Sequence, residues 1–270
     1  PRPWMPLAAA AALAFASQTS ATTITEDFDP FTGTLTLNKT DDATVGFAAD
    51  PFNGSNTVLE VTMPGGDEVA LLTADLGAGT FFSISARVLT TDLGPLDFDF
   101  SGAGFGFTAA GSANQAGTLE SNPFLSDTAD SGYKLLIKDD FNDTSQRLVI
   151  RQAGNDLAST AIPTDLTDTF DQFDVQLTFT GTTQPNGDVA LVGTLVDNLG
   201  GDDNAVVMAT VAAANAEIGT DYGIAQLKLG SGNTARGLYD NVTITVIPEP
   251  TSLALAAGLA LACGLRRSEV

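Results

Sequence analysis

Apolar and polar side chains alternate along most of this chain, and this period of two restricts its fold more than any other feature. The stretch FDVQLTFTG, residues 173–181, has Phe, Val, Leu and Phe at every second position, with Asp, Gln and Thr between them. The stretch FFSISARVL, residues 81–89, alternates in the same way between apolar residues and Ser or Arg. Successive side chains of a β-strand point to opposite faces, so this pattern is typical of strands that are buried on one face only.

Turn-forming residues separate these short runs. The segments DPFNGSN at 50–56 and QPNGD at 184–188 contain the Gly, Asn, Asp and Pro residues that favour tight turns. We predict a flexible turn for the glycine-rich GAGFGF at 102–107, and we predict that AVVMATVAAANAEIG at 205–219 begins as a strand. Many short strands at this spacing predict one all-β domain over residues 22–247, a single antiparallel β-sandwich of the jelly-roll type.

The composition excludes several kinds of function. The chain carries a formal net charge of −22, so contact with nucleic-acid phosphates is disfavoured and no nucleic-acid partner is predicted. It contains no histidine, which removes the usual base of serine and cysteine hydrolases and a common metal ligand. The single cysteine, Cys263, excludes an internal disulfide. We therefore predict no catalytic residues and no cofactor other than a metal ion.

The first segment, residues 1–21, differs from the alternating middle. Arg2 precedes an apolar stretch from Met5 to Ala16, and small polar residues follow it. This is the order of a secretory signal peptide, whose apolar stretch is too short for a transmembrane helix. We expect cleavage after Ala16 or after Ala21, and we expect signal peptidase and the secretion machinery as partners.

The last segment, residues 248–270, combines a polar motif, an apolar run and two arginines. These parts are Pro248, Glu249, Pro250, Thr251 and Ser252, then Leu253 to Leu265, then Arg266 and Arg267. The prolines end the preceding strand, and the arginines favour the cytoplasmic side of a membrane. As a helix the run would be about 20 Å long, shorter than the roughly 30 Å hydrocarbon core of a bilayer. This length predicts a short transmembrane segment that serves as a transient stop rather than a permanent anchor.

In this order of motif, short apolar helix and basic end, the tail resembles the PEP-CTERM protein-sorting signal. The resemblance implies recognition and cleavage by an exosortase-type membrane protease. It also implies an exported bacterial protein, transiently associated with the inner membrane and then released to the cell surface or to an extracellular polysaccharide matrix such as that of a biofilm.

Two strand motifs of the middle segment resemble those of concanavalin A-like and laminin G-like jelly rolls. The first is TEDFDPF at 25–31 and the second is YDNVTITV at 239–246. The resemblance implies that carboxylates of the first and last strands share a structural calcium ion, which binds oxygen ligands. Glu26 and Asp240 are the candidate ligands.

Three functions remain open for the middle domain. The main interpretation is a structural or adhesive domain, and the alternative is a non-catalytic glycan-binding module. Against that alternative, Trp4 would leave with the signal peptide, so that only Tyr133, Tyr222 and Tyr239 remain as large aromatic candidates for a sugar platform. The third is a carboxylate-based glycosidase, but the Glu-x-Asp-x-Glu strand motif typical of β-sandwich glucanases does not occur in the sequence. We therefore predict that the protein is not an enzyme.

Overall fold

The computed structural model describes residues 20–39, 43–63, 68–77, 79–90, 100–108, 132–139, 146–152, 155–162, 173–198, 206–213, 221–229 and 235–248. Within these ranges all regular structure is β-strand. The strands are β1 (Thr22–Glu26), β2 (Thr36–Lys39), β3 (Thr44–Ala49), β4 (Thr57–Met63), β5 (Glu68–Asp75), β6 (Gly79–Thr90), β7 (Phe100–Thr108), β8 (Gly132–Asp139), β9 (Gln146–Gln152), β10 (Asn155–Ala161), β11 (Phe173–Thr183), β12 (Val189–Asp197), β13 (Val206–Ala213), β14 (Asp221–Leu229) and β15 (Ala235–Pro248). No membrane-spanning helix is found among these residues.

The strands form two antiparallel sheets. Sheet A has the order β13-β12-β11-β6-β15-β4-β3, and β1 also pairs with β15. Sheet B has the order β10-β9-β8-β7-β14-β5-β2. Along one edge of β15, residues 235–239 pair with β4 and residues 242–246 pair with β1. The first and last described strands are therefore neighbours in one sheet.

The core lies between the two sheets and contains every second residue of the central strands. On β6, Phe82, Ile84 and Ala86 are fully buried. The Phe82 ring packs edge-on against Phe179 of β11, with centroids 5.3 Å apart, and against Tyr222 of sheet B, with centroids 5.6 Å apart. Tyr222 therefore joins the two sheets through an aromatic contact.

One side of the sandwich is also joined by a hydrogen bond between the sheets. The hydroxyl of Thr160 on β10 donates to the carbonyl oxygen of Met208 on β13, at 2.8 Å. Strand β10 ends the path of sheet B and β13 ends that of sheet A. The bond therefore satisfies a carbonyl on the outermost strand of sheet A.

The predicted all-β antiparallel sandwich is confirmed. The segment at 205–219 begins as strand β13, as predicted. The turn predicted for residues 102–107 is wrong, because these residues lie within β7 and pair with both β8 and β14. Glycine at every second position preserves the period of two, and pairing on both edges outweighs the flexibility of glycine in a strand.

The predictions for the two ends fall mostly outside the described residues. Of the predicted signal peptide, only Ser20 and Ala21 are described, and both are exposed. Pro248 is the last residue of β15, one position beyond the predicted end of the domain. The remaining motif residues, from Glu249 onward, lie outside the described part of the chain.

Two glycines of sheet A make room for core side chains. A Cβ atom on Gly181 of β11 would overlap the ring of Phe82, and a Cβ atom on Gly193 of β12 would overlap a methyl group of Leu135 from sheet B. The Phe82 ring is itself packed against two other aromatic rings, so it has little space to move. At Gly46 on strand β3, by contrast, a Cβ atom would meet no atom within 4 Å.

We expect Gly181→Ala to lower the free energy of unfolding by about 1–3 kcal/mol, the usual cost of inserting a methyl group into a filled core. Gly46→Ala is the matched control and should change that free energy by less than about 0.5 kcal/mol. Urea unfolding followed by circular dichroism measures both variants. Equal effects of the two substitutions would contradict the packing role of Gly181.

Candidate functional site

The loop after β1 is organised around the carboxylate of Glu26. This residue is 1% exposed. Thr32 donates its backbone N–H to both carboxylate oxygens, at 2.9 and 3.1 Å, and its hydroxyl to Oε2 at 2.5 Å. The hydroxyl of Thr34 at 3.2 Å and the N–H of Phe28 at 3.4 Å complete the set of donors. Glu26 therefore holds residues 27–34 against the end of β1.

These hydrogen bonds favour the ionised form of Glu26. Burial is the largest single influence and raises the pKa of Glu26, but the bonds from Thr32, Phe28 and Thr34 together outweigh it and hold the pKa below its ordinary value of 4.5. A carboxyl whose pKa is lowered by folding stabilises the fold above its unfolded pKa. This contribution is present above pH 4.5 and is lost as the pH falls through the lowered pKa.

The loop held by Glu26 and strand β3 each contribute one ring to an exposed aromatic pair. The buried ring of Phe28 stacks on Phe31, with centroids 6.0 Å apart and 17° between the ring planes. The ring of Phe31 contacts Phe47 of strand β3, with centroids 5.8 Å apart. Phe31 is 39% exposed and Phe47 is 52% exposed. We refer to Phe31 and Phe47 together as the aromatic edge.

The tyrosines are not available as a sugar platform. Tyr133, Tyr222 and Tyr239 are all buried, with at most 5% exposure. The described aromatic residues with substantial exposure are phenylalanines, namely the two of the aromatic edge and Phe52 in the turn at 50–56. An aromatic contact with a ligand would therefore use Phe rings.

A network of charged residues lies on the outer face of sheet A. Arg87 of β6 forms a bidentate ion pair with Asp174 of β11, with an Nε–Oδ1 distance of 2.8 Å and an Nη2–Oδ2 distance of 2.6 Å. Its Nη1 donates to Oδ2 of Asp50 at 2.5 Å and lies 3.7 Å from Oδ2 of Asp240. The three aspartates are at most 5% exposed. Arg87 thus brings together carboxylates from three segments of the chain.

Asparagine amides occupy further oxygens of these carboxylates. Asn56 donates to Oδ2 of Asp240 at 2.9 Å, and Asn198 donates to Oδ1 of Asp174 at 3.0 Å. Asn241 donates both its backbone N–H, at 2.8 Å, and its side-chain amide, at 2.9 Å, to Asp240. Asn241 has a φ of 52° and lies where the pairing of β15 with β6 shifts register, which allows its amide to reach back to Asp240.

The network contains more carboxylates than cations, and the pKa values of Arg87, Asp240 and Asp50 are set by burial and by their hydrogen bonds. The hydrogen bonding that Arg87 donates to Asp174 is the largest influence on Arg87 and raises its pKa, so the guanidinium stays charged. Burial raises the pKa of Asp240, and the bonds from Asn56 and Asn241 with the attraction of Arg87 offset this only in part. Burial also raises the pKa of Asp50, but its donors outweigh burial and leave that pKa below 3.8.

A second apolar cluster covers the same end of this face. Val58, Leu89 and Leu238 are at most 1% exposed and pack together, with Ala48 against them. Leu89 lies two residues beyond Arg87 on β6 and faces Leu238 across the ladder. These side chains exclude water beside the network, which strengthens the attraction between its charges.

The two predicted calcium ligands do not share a metal site among the described contacts. The oxygens of Glu26 accept hydrogen bonds from its own loop, whereas Asp240 accepts them from Asn56 and Asn241 beside the cation of Arg87. A calcium ion needs six to eight oxygen ligands, and these oxygens already face N–H and O–H donors. No group of three or more metal-ligating side chains is found in the part of the chain that the structure describes. The residues present do not fit a shared calcium ion, and the calcium site stays a prediction from resemblance.

The Arg87 network is not predictable from any one stretch of the sequence. The sequence marks two members of the network only as isolated charges. Arg87 is the one charged residue in the stretch 81–89, and Asp174 is the one charged residue in the stretch 173–181. Each stands at an outward position of its strand, where a charge is expected. Their pairing depends on the register between β6 and β11, which neither stretch reveals alone.

No protein-family model matches the chain, and no curated protein matches its sequence. Among solved structures, the basic lectin of winged bean, in complex with Tn-antigen, is similar with a TM-score of 0.58 at 10% identity, over 85% of this chain and 100% of the lectin. The winged bean acidic lectin, in complex with methyl-α-D-galactose, has a TM-score of 0.55 at 10% identity, over 85% and 100% of the two chains. The lectin of Bauhinia forficata, in complex with GalNAc, has a TM-score of 0.53 at 13% identity, over 84% and 98%.

The fold therefore belongs to the class of legume-lectin-like jelly rolls. This agrees with the concanavalin A-like resemblance of the strand motifs at 25–31 and 239–246. Identities of 10–13% establish the shared architecture alone.

We expect Arg87→Met to lower the free energy of unfolding by about 3–5 kcal/mol, because it leaves three buried carboxylates without their cation. Methionine retains an unbranched apolar stem, so the loss reports mainly on charge. Arg151→Met is the control, because the carboxylate of Asp156, which pairs with Arg151 at 2.9 Å, is 33% exposed and stays hydrated when the arginine is replaced, so the loss should be smaller than at Arg87. Guanidinium-induced unfolding compares the two, and a loss at Arg87 no larger than that at Arg151 would refute the role of the network.

Proposed function

We propose that the sandwich is a non-catalytic glycan-binding module of an exported bacterial surface or extracellular-matrix protein. The observation that carries this proposal is the aromatic edge, an exposed pair of Phe rings in which Phe31 belongs to the loop held by Glu26 and Phe47 belongs to strand β3. The C–H groups of a sugar ring pack favourably against an exposed aromatic ring. A loop shaped in advance by hydrogen bonds loses little conformational freedom on binding.

The lectin-like fold supports the same proposal. The two winged bean lectins and the Bauhinia lectin are each described in complex with a sugar ligand. A jelly roll presents loops at the rim of its sheets, and binding residues are commonly carried by loops on a rigid scaffold. The aromatic edge has such a position, because one ring comes from a loop and the other from strand β3.

The chemistry of the described carboxylates favours binding over hydrolysis. Asp50, Asp174 and Asp240 cluster around Arg87 and accept hydrogen bonds from Asn amides. A glycosidase needs one carboxyl that donates a proton and a second that acts as base or nucleophile. Carboxylates that neutralise a buried guanidinium are poorly suited to either role.

The proposed location rests on the sequence of the two ends. The signal-peptide pattern of residues 1–21 supports export, and the order of motif, apolar run and arginines in residues 248–270 supports sorting by an exosortase-type protease. Processing at the motif would release the domain to the cell surface or to a polysaccharide matrix, where a glycan-binding module finds its ligand.

We expect the purified domain to bind sugars on a glycan array and expect Phe31→Ala with Phe47→Ala to weaken that binding about two- to ten-fold. The estimate follows from the roughly 0.5–1.5 kcal/mol that an aromatic contact contributes, where 1.4 kcal/mol corresponds to about ten-fold in affinity.

Phe52→Ala serves as the matched control, because Phe52 is similarly exposed, at 38%, but lies in the turn at 50–56. It should leave binding unchanged. Failure of the unmodified domain to bind any sugar would refute the proposed function, and an equal loss in Phe52→Ala would refute the assignment to the aromatic edge.

We expect mass spectrometry of the exported protein from its host to find a C-terminus within Pro248–Ser252 and an N-terminus after Ala16 or Ala21. Replacing Pro248, Glu249 and Pro250 with alanine should leave the tail uncut and the protein in the membrane fraction. Exported protein with the complete tail would contradict sorting by this motif without bearing on glycan binding.

A further inference from the structure

Two rows of side chains cross six strands of sheet A in register on its outer face. The first row is Thr23, Thr245, Ser83, Thr180, Val192 and Thr210. The second row is Thr25, Thr243, Ser85, Thr178, Thr194 and Met208. We refer to these positions as the hydroxyl platform, since all but Val192 and Met208 carry a hydroxyl group. Neighbours are about 4.8 Å apart across the strands and about 6.7 Å apart along them.

Many hydroxyls of the platform have no partner within the described protein. At one end, Thr23 meets Thr245 at 3.0 Å and Thr25 meets Thr243 at 3.4 Å. In the middle, the accessible side chains of Ser83, Ser85, Thr178 and Thr180 make no hydrogen bond to another described residue. These central groups are donors and acceptors directed towards solvent at the spacing of the strands.

The platform is uncharged although the chain carries a net charge of −22. Neither row contains Asp, Glu, Lys or Arg. The next outward residues of β15 and β6 are apolar, namely Ile247, which is 37% exposed, and Phe81. Met208 at the end of the second row is 52% exposed. The face therefore combines hydroxyl groups with methyl and other apolar surface.

We propose that the hydroxyl platform binds a neutral polysaccharide, an inference that rests on the proposed glycan-binding function and assigns it a second surface. Hydroxyl groups of the polymer pair with the free Ser and Thr hydroxyls, and the C–H faces of its rings contact Thr methyl groups. A polyanion would be repelled by the charge of the chain, and a polycation would find no carboxylate in either row.

The size of the platform favours a polymer over a small sugar or a second copy of this chain. Five strand spacings of about 4.8 Å give rows about 24 Å long, which is the length of several sugar units. With its flanking residues the platform covers about 400 Å², estimated from the same spacings. A stable protein interface buries about 800 Å² on each partner, so the surface is too small for a stable dimer.

The test is retention of the full chain on insoluble cellulose and curdlan, which are neutral, and on pectate beads, which are acidic. We expect the unmodified protein to be retained by at least one neutral polymer and to pass over pectate. The double variant Ser85→Arg, Thr180→Arg should lose at least ten-fold in retention, because long side chains separate the polymer from both rows. The double variant Thr178→Val, Thr180→Val keeps the shape but removes two hydroxyls, and its retention should fall by less.

The controls separate the platform from the proposed function. Ser159→Arg introduces one of the two charges that the double variant adds, at an exposed position of β10 in sheet B, and should be retained like the unmodified protein. Thermal unfolding confirms that each variant is folded. If the arginine double variant loses retention but still binds the glycan array through the aromatic edge, the platform is supported as a second surface.

Three outcomes overturn the inference. If Phe31→Ala with Phe47→Ala abolishes retention while the arginine double variant is still retained, glycan binding by the aromatic edge is supported. Polysaccharide binding by the hydroxyl platform is then refuted. If neither cellulose nor curdlan retains the unmodified protein, polysaccharide binding by the hydroxyl platform is refuted, regardless of the result on the glycan array. If Ser159→Arg loses as much retention as the arginine double variant, added positive charge explains the loss of retention. Polysaccharide binding by the hydroxyl platform is then refuted.

Discussion

The burial of one face of each sheet against the other is the interaction on which the rest of this structure depends. Phe82 contacts Phe179 in its own sheet and Tyr222 in the opposite sheet. These contacts belong to a core that contains every second residue of the central strands. Because side chains alternate strictly, a register slip of one residue would turn the core face to solvent. Packing of the inner face thus also decides which residues the outer face presents.

The outer face of sheet A has two regions of opposite character. At one end, Arg87 gathers the carboxylates of Asp50, Asp174 and Asp240 beside a cluster of apolar side chains. Across the middle, the same strands carry uncharged hydroxyl groups that remain accessible. The charges of this face are concentrated around Arg87, and neither row of the hydroxyl platform carries a charged residue. One β-strand, β6, contributes to both regions, with Ser83 and Ser85 followed by Arg87.

Sequence reasoning predicted the features that depend on neighbouring residues and missed those that depend on pairing between distant strands. Alternation along 81–89 and 173–181 identified which residues are buried, because the period of two is a local property. The segment at 102–107 was assigned wrongly, since the flexibility of glycine is local whereas the two ladders that hold β7 are not. The partners of Arg87 lie 37 and 87 residues away in sequence, and no short stretch indicates them. The hydroxyl platform likewise requires the register of six strands.

The position of β15 has a mechanical consequence. This strand ends at Pro248 and is paired with β6 on one edge and with β1 and β4 on the other. Hydrogen bonds of an antiparallel ladder are perpendicular to the strands, so a pull along β15 from its C-terminal end loads many of them at once instead of opening them one by one. Unfolding from the C-terminal end of β15 therefore requires these hydrogen bonds to break together, so this end of the sandwich resists mechanical extraction in shear.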